Sequence, residues 1–389
     1  MTARYCPFTR ALQATAWRSP FPPLSLAPDE KSQLIRTAES LVDATLDEYS
    51  AFLEPDQQPP DEDLWTLVRE RENLKVYLSK THGVGTPNNN TYELLVVGAV
   101  VGNFSDAMYG LLNHSTDAMH IKSAYMQDTF LEGAVLDTIL SPTEEHPFRS
   151  TTVRWCAKAM PFHVRAMSKH RDSVYLDASG TRTLASGEVI GFQALQSTEF
   201  AQVPPLAKYE RSHVSGCLLL RQVGSDRVQL VSRSFLLLEE CILESATIKS
   251  VANAFISTMT VVPCAQYKKL AWLVQNRKTI EAVNSEDTDR GGCSVCGQML
   301  CESRRNLKHA CAVCTKPTCK SCRIKQDLMY MTAEKKVVEK RTRFCVACVS
   351  VANRLDAAMV ARSESTSGDI PTLGWDRETC QSDSLTTSS

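Results

Sequence analysis

Four Cys-x-x-Cys pairs fall between residues 293 and 348: Cys293/Cys296, Cys311/Cys314, Cys319/Cys322 and Cys345/Cys348. Eight thiolates in close pairs are the donor set that two tetrahedral zinc ions require. The gaps between pairs are 14, 4 and 22 residues. Four residues are too few for the second and third pairs to fold back onto one ion. The spacing therefore predicts an interleaved arrangement, first pair with third on one zinc and second with fourth on the other. With every ligand position filled by protein, such zincs are structural and offer no open site for chemistry.

Composition supports a metal over a disulfide framework. Nine of the 15 cysteines lie in this window, and the other six (Cys6, Cys156, Cys217, Cys241, Cys264, Cys380) are scattered without pattern. That usage suits a reducing compartment, so a cytoplasmic protein is expected. The longest apolar run, residues 94–101, is far shorter than the roughly 20 residues of a spanning helix. A hydrophobic fraction of 43% in 389 residues is enough for two or three domains. Charge is uneven. Residues 293–350 hold 12 Lys/Arg against 4 Asp/Glu, a balance of +8, which leaves −9 for the rest of a chain whose net charge is −1. A basic module on an acidic protein points to an anionic partner.

The chain divides as follows. Residues 1–27 carry Arg4, Arg10 and Arg18, four prolines and no acid, and read as a disordered leader. Apolar residues at helical spacing fill 34–53, and a polar linker follows at 57–63. Strands are expected at 73–77, 92–101, 127–140, 151–158, 173–176, 189–196, 217–222 and 228–238, with residues 64–78 mixing helical and strand character. Gly224-Ser225-Asp226 marks a hairpin between the last two strands, and Asn103 starts a helix through Met108, Leu111 and Leu112. A long helix spans 246–276, where Pro263 kinks it or begins a second segment. Residues 353–389 turn to Ser, Thr and Asp and read as a disordered tail.

An antiparallel sheet wrapped around one C-terminal helix is an α+β architecture with an enclosed apolar space. The element order, with the strand and helix around residues 97–104, resembles the START lipid-transfer family over about residues 28–285. That resemblance implies a helix-grip fold with a cavity for one hydrophobic ligand.

The cysteine spacing over residues 290–352 resembles the FYVE zinc finger, and a FYVE finger after a START-like domain resembles START/FYVE proteins of oomycetes. Cys301 and His309 are available as substitute ligands, which leaves a RING-like finger open. The FYVE family holds phosphatidylinositol 3-phosphate with R-(R/K)-H-H-C-R. The matching residues here are Leu307, Lys308, His309, Ala310, Cys311 and Ala312, so only Lys308 and His309 fit besides the cysteine. The upstream W-x-x-D is missing, and the late R-V-C is nearly kept as Arg343-Phe344-Cys345. Losing two arginines and a histidine costs about 3–6 kcal/mol of headgroup binding, or about two to four decades in affinity. Arg304 and Arg305 replace part of this, so Arg304, Arg305, Lys308, His309 and Arg343 are the candidate lipid contacts. The stretch 301–306, where a bilayer-inserting loop belongs, is polar.

Nucleic acid is disfavoured, because Tyr330 and Phe344 are the only aromatics in the basic window. No phosphate loop, nucleophile elbow or H-E-x-x-H is present, so no enzyme is expected. Two readings stay open. One is a peripheral protein with a hydrophobic ligand in its cavity and a weak hold on anionic endosomal lipid. The other is an adaptor whose degenerate finger docks a protein partner.

Overall fold

The strand signals between residues 65 and 237 resolve into one sheet in the computed structural model, which describes residues 17–49, 61–81, 91–160, 162, 169–237, 244–277, 292–300 and 310–367. Its strands are β1 (Trp65–Arg71), β2 (Leu74–Ser79), β3 (Thr91–Val101), β4 (Phe130–Leu140), β5 (Ser150–Lys158), β6 (His170–Thr183), β7 (Val189–Ser197), β8 (Tyr209–Arg211), β9 (His213–Val223) and β10 (Arg227–Leu237). They run in the order β1-β2-β3-β10-β9-β7-β6-β5-β4, antiparallel throughout, and β8 adds a parallel stub to β6. The expected α+β class is found. The mixed signal at 64–78 is two strands joined at Glu72, which takes the left-handed conformation (φ 52°) without a glycine to announce it. Gly224 (φ 64°) makes the expected β9–β10 turn.

Both faces of the sheet are covered. On one face, helix α1 (Pro28–Tyr49) sets Val42 against Ile190, Cys217 and Leu219. The segment before α1 joins it. Phe21 meets Trp155 edge-on at 5.4 Å, and the Leu24 amide donates to the Leu136 carbonyl at 2.9 Å. The disordered-leader reading is therefore corrected for residues 17–27, whose apolar side chains seal β4–β6; residues 1–16 lie outside the described residues.

The other face receives α2 (Phe104–Leu111), α3 (Thr116–Met126) and α4 (Glu244–Ile256), and α5 (Val261–Gln275) packs against α2. Asn103 caps α2, its Oδ1 accepting from the Asp106 amide at 2.8 Å. The expected long helix breaks at a 3-10 turn, Ser257–Thr260, and Pro263 sits in the first turn of α5, where an amide has no intrahelical partner to lose. Gly110 lets α2 and α5 touch, since a Cβ there would lie 1.9 Å from the Val261 carbonyl oxygen. By length and composition alone, residues 245–275 are also long and apolar enough to cross a bilayer. Here Lys268 and Lys269 within that stretch are buried and partnered by protein, as in a core helix.

The cysteine-rich module stands on α5. Its hairpin, β11 (Arg323–Met331) and β12 (Val337–Cys345), buries Leu328 and Phe344 against Leu270 and Leu273. The Met329 amide donates to the Tyr125 hydroxyl at 2.8 Å. Helix α6 (Val346–Arg354) follows, then α7 (Ala357–Ser367). The disordered-tail reading is corrected for residues 353–367. Val360 and Ala361 are buried, and Glu364 accepts from the Tyr109 hydroxyl at 2.7 Å. Small residues that look tail-like in composition suit a close helix contact. Residues 368–389 lie outside the described residues.

Lys269, with no exposed side chain, donates to Asp106 Oδ1 at 2.7 Å and to the carbonyls of Leu355 (3.1 Å) and Asn353 (3.3 Å). Removing one member of such a pair leaves a buried, unmatched charge. Lys269→Met should cost about 3–5 kcal/mol in guanidinium unfolding, and Lys269→Met with Asp106→Leu should recover most of it. A single variant as stable as the parent would show that the pair carries no structural role.

Candidate ligand cavity and metal centres

The eight paired cysteines gather into two groups, Cys293, Cys296, Cys319 and Cys322, and Cys311, Cys314, Cys345 and Cys348, with the sulfurs of each group within 4.8 Å of one another. This is the interleaved pairing that the short middle gap demanded. The first two pairs are built alike. In one, the Gly297 amide donates to the Cys293 carbonyl and residues 292 and 299 form a bridge. In the other, the Thr315 amide donates to the Cys311 carbonyl and residues 310 and 317 form a bridge. Gly297 (φ 72°) and Thr315 (φ 56°) take the same left-handed position. The last two pairs sit at the base of the β11–β12 hairpin, where Cys345 also caps α6, its Sγ accepting from the Cys348 amide at 3.3 Å.

These sulfurs fit zinc. A tetrahedron with Zn–S of about 2.3 Å has an S···S edge of about 3.8 Å. Cys296 and Cys319 are 3.8 Å apart, and Cys314 and Cys345 are 3.9 Å apart. Each group could hold one ion, whose chemistry there would be to fold the module.

Of the expected lipid contacts, Arg304, Arg305, Lys308 and His309 lie outside the described residues. Arg343 is on β12 with an exposed side chain, and its carbonyl accepts from the Ala312 amide at 2.8 Å. The sequence reading missed Met299, which is 68% exposed beside the first cysteine pair, with Val295 nearby at 38%. An apolar pair next to Cys296 was the available signal.

Between the sheet and α3–α4 lies a cavity of about 260 Å³. Its position follows from the period of two along β6. Val174, Leu176 and Ala178 pack under the covering segment 17–38, so Arg171, Ser173, Tyr175 and Asp177 face the opposite way and line the cavity. A strand that turns its polar side inward is not building a dry core. The charged groups in the lining come from α3, the α3–β4 turn and strands β5 and β6. By contrast β9, β10 and α4 supply only neutral ones, among them Leu218, Leu236, Val251 and Phe255. Burial pushes the Cys156 thiol up to about 12 and draws the Lys122 ammonium down to about 8, Asp177 opposing the latter.

No protein-family model matches the chain, and no curated protein does. Among solved structures it is similar to human StAR-related lipid transfer protein 5 (12% identity, 60% of this chain and 98% of that one, TM-score 0.43). It is also similar to a STAR-related lipid transfer protein fragment from Xanthomonas axonopodis (15%, 51% and 97%, TM-score 0.37). The human StarD13 lipid transfer and protein localization domain is a third (16%, 56% and 94%, TM-score 0.36).

Metal analysis of the purified chain should find about two zincs, falling to about one in Cys296→Ser, which breaks the first group alone. An unchanged zinc content in that variant would contradict the interleaved assignment.

Proposed function

We propose that this chain is a non-enzymatic, peripheral lipid-binding protein that holds one hydrophobic ligand between its sheet and α4. The observation that carries the reading is the cavity of about 260 Å³, with Leu218, Leu236, Val251 and Phe255 along one side. Ordinary cores are filled to crystal-like density, and a void this size has no packing rationale. Ala254, which also lines the cavity from α4, gives a test. Ala254→Trp should fill the space and weaken binding of a fluorescent fatty-acyl probe at least tenfold with zinc content unchanged. Binding equal to the parent's would remove the cavity from the function.

The zinc module supplies a weak second contact, to anionic phospholipid on the cytoplasmic face of endosomal membranes. Its FYVE-like spacing, its balance of +8 and the exposed Met299 support this. A well-placed base adds about 1 kcal/mol near an anionic surface. A protein-docking role is the second reading, favoured by Leu307, Ala310 and Ala312 in place of headgroup-reading residues. The basic side chains already engaged within the protein also favour it, such as Arg341 with Asp327 (2.8 Å) and Lys335 with Asp117 (2.6 Å).

Liposome co-sedimentation separates the two. The membrane reading expects binding to vesicles of equal charge, with only modest preference for phosphatidylinositol 3-phosphate over phosphatidylserine. That binding should weaken as salt rises and drop in Lys308→Ala/His309→Ala. Absence of binding to either vesicle at physiological salt would leave the adaptor.

A further inference from the structure

The charges that line the cavity are matched, with one exception. Asp177 takes Arg154 at 2.7 Å and both its oxygens accept from Gln193 at 3.1 Å. Arg171 meets Glu210 at 2.9 Å, and Asp128 faces Lys158 at 3.9 Å. Lys122, on α3, also lines the cavity, and no hydrogen-bond or ion-pair partner meets its ammonium among the described residues. The groups that act on it are Asp177 and Arg154, which are paired with each other and act in opposite directions, Asp128, already paired with Lys158, and the buried Cys264 thiol of α5. The cavity therefore carries one unmatched positive charge. Burying an ammonium without a counter-ion is costly, and the cost disappears when an anion joins it.

We propose that the ligand is a single-chain amphiphile with a carboxylate head, the carboxylate paired with Lys122 and the chain lying along Leu218, Leu236, Val251 and Phe255. This deepens the cavity reading above and rests on it. A neutral head leaves the lysine unmatched, and a phosphate monoester at neutral pH brings a second negative charge that no described cation awaits. The space also falls below the roughly 300 Å³ at which ligand clefts usually begin, too little for two acyl chains.

The test is calorimetric titration of the delipidated, zinc-loaded full chain with laurate, dodecanol and methyl laurate, whose twelve-carbon chains suit the volume of the cavity. Laurate is expected to bind at least tenfold tighter than the other two. Lys122→Met should erase that margin and keep the alcohol's affinity, while Lys122→Arg should keep the margin. Laurate affinity should fall as pH rises through about 8, where Lys122 loses its charge, and the alcohol's should stay level. Lys122→Met removes a buried charge and should unfold no earlier than the parent; if it does not fold, Lys122→Gln is read the same way. Equal binding of laurate and alcohol, or a margin that survives loss of the ammonium, overturns the carboxylate assignment and leaves the cavity reading standing. Failure of all three to bind overturns both.

Discussion

A lysine without solvent holds the two halves of this chain together. An ammonium has three protons, and those of Lys269 are all used, on Asp106 from α2 and on two carbonyls at the end of α6. The carbonyls are the ones a helix leaves unpaired at its C-terminus, so the same cation answers a capping need and a charge need. Its neighbour Lys268 does the equivalent for α2, donating to the carbonyls of Tyr109 (2.9 Å) and Leu112 (3.3 Å) while resting on the Tyr109 ring. Glu364 of α7 closes the cluster through the Tyr109 hydroxyl. Apolar packing between Leu270, Leu273, Leu328 and Phe344 supplies area. The directional bonds to Lys269 set the angle at which the module meets the body.

The cysteine module was the most legible part of the chain, because metal geometry leaves little freedom once the gap between Cys314 and Cys319 is known. The sheet was legible at the level of strands, through alternation and the turn at Gly224. Helix α3 was not. Ala118, Met119, His120, Ile121, Ala124, Tyr125 and Met126 are all buried, so no polar face marks the period of 3.6. Lys268-Lys269 reads as a solvated step in any helix, and only the partners that arrive from Asp106, Asn353 and Leu355 make it interior. Residues 17–27 and 357–367 failed for a related reason. Prolines, serines and small residues describe local stiffness and solubility, and say nothing of a distant surface that needs covering.

The cavity shows the same limit from another side. A period of two tells that Ser173, Tyr175 and Asp177 share a face, and that Val174, Leu176 and Ala178 share the other. The ordinary expectation puts the apolar face inward. Here α1 and the segment before it bury that face from outside, and the polar one looks onto the cavity. Which face is which depends on a covering layer more than a hundred residues earlier in the chain, beyond the reach of local pattern.

The seat of Leu270, Leu273, Lys268 and Lys269 has a bearing on how the protein is made. Their partners run to Glu364, about ninety residues after α5 ends. At about 5–20 residues per second, synthesis leaves that helix face without its cover for about 5–20 s. During that interval the C-terminal half of a stretch long and apolar enough to cross a bilayer lacks its cover, so the order of emergence from the ribosome leaves α5 open to capture by chaperone or by bilayer until the module folds onto it.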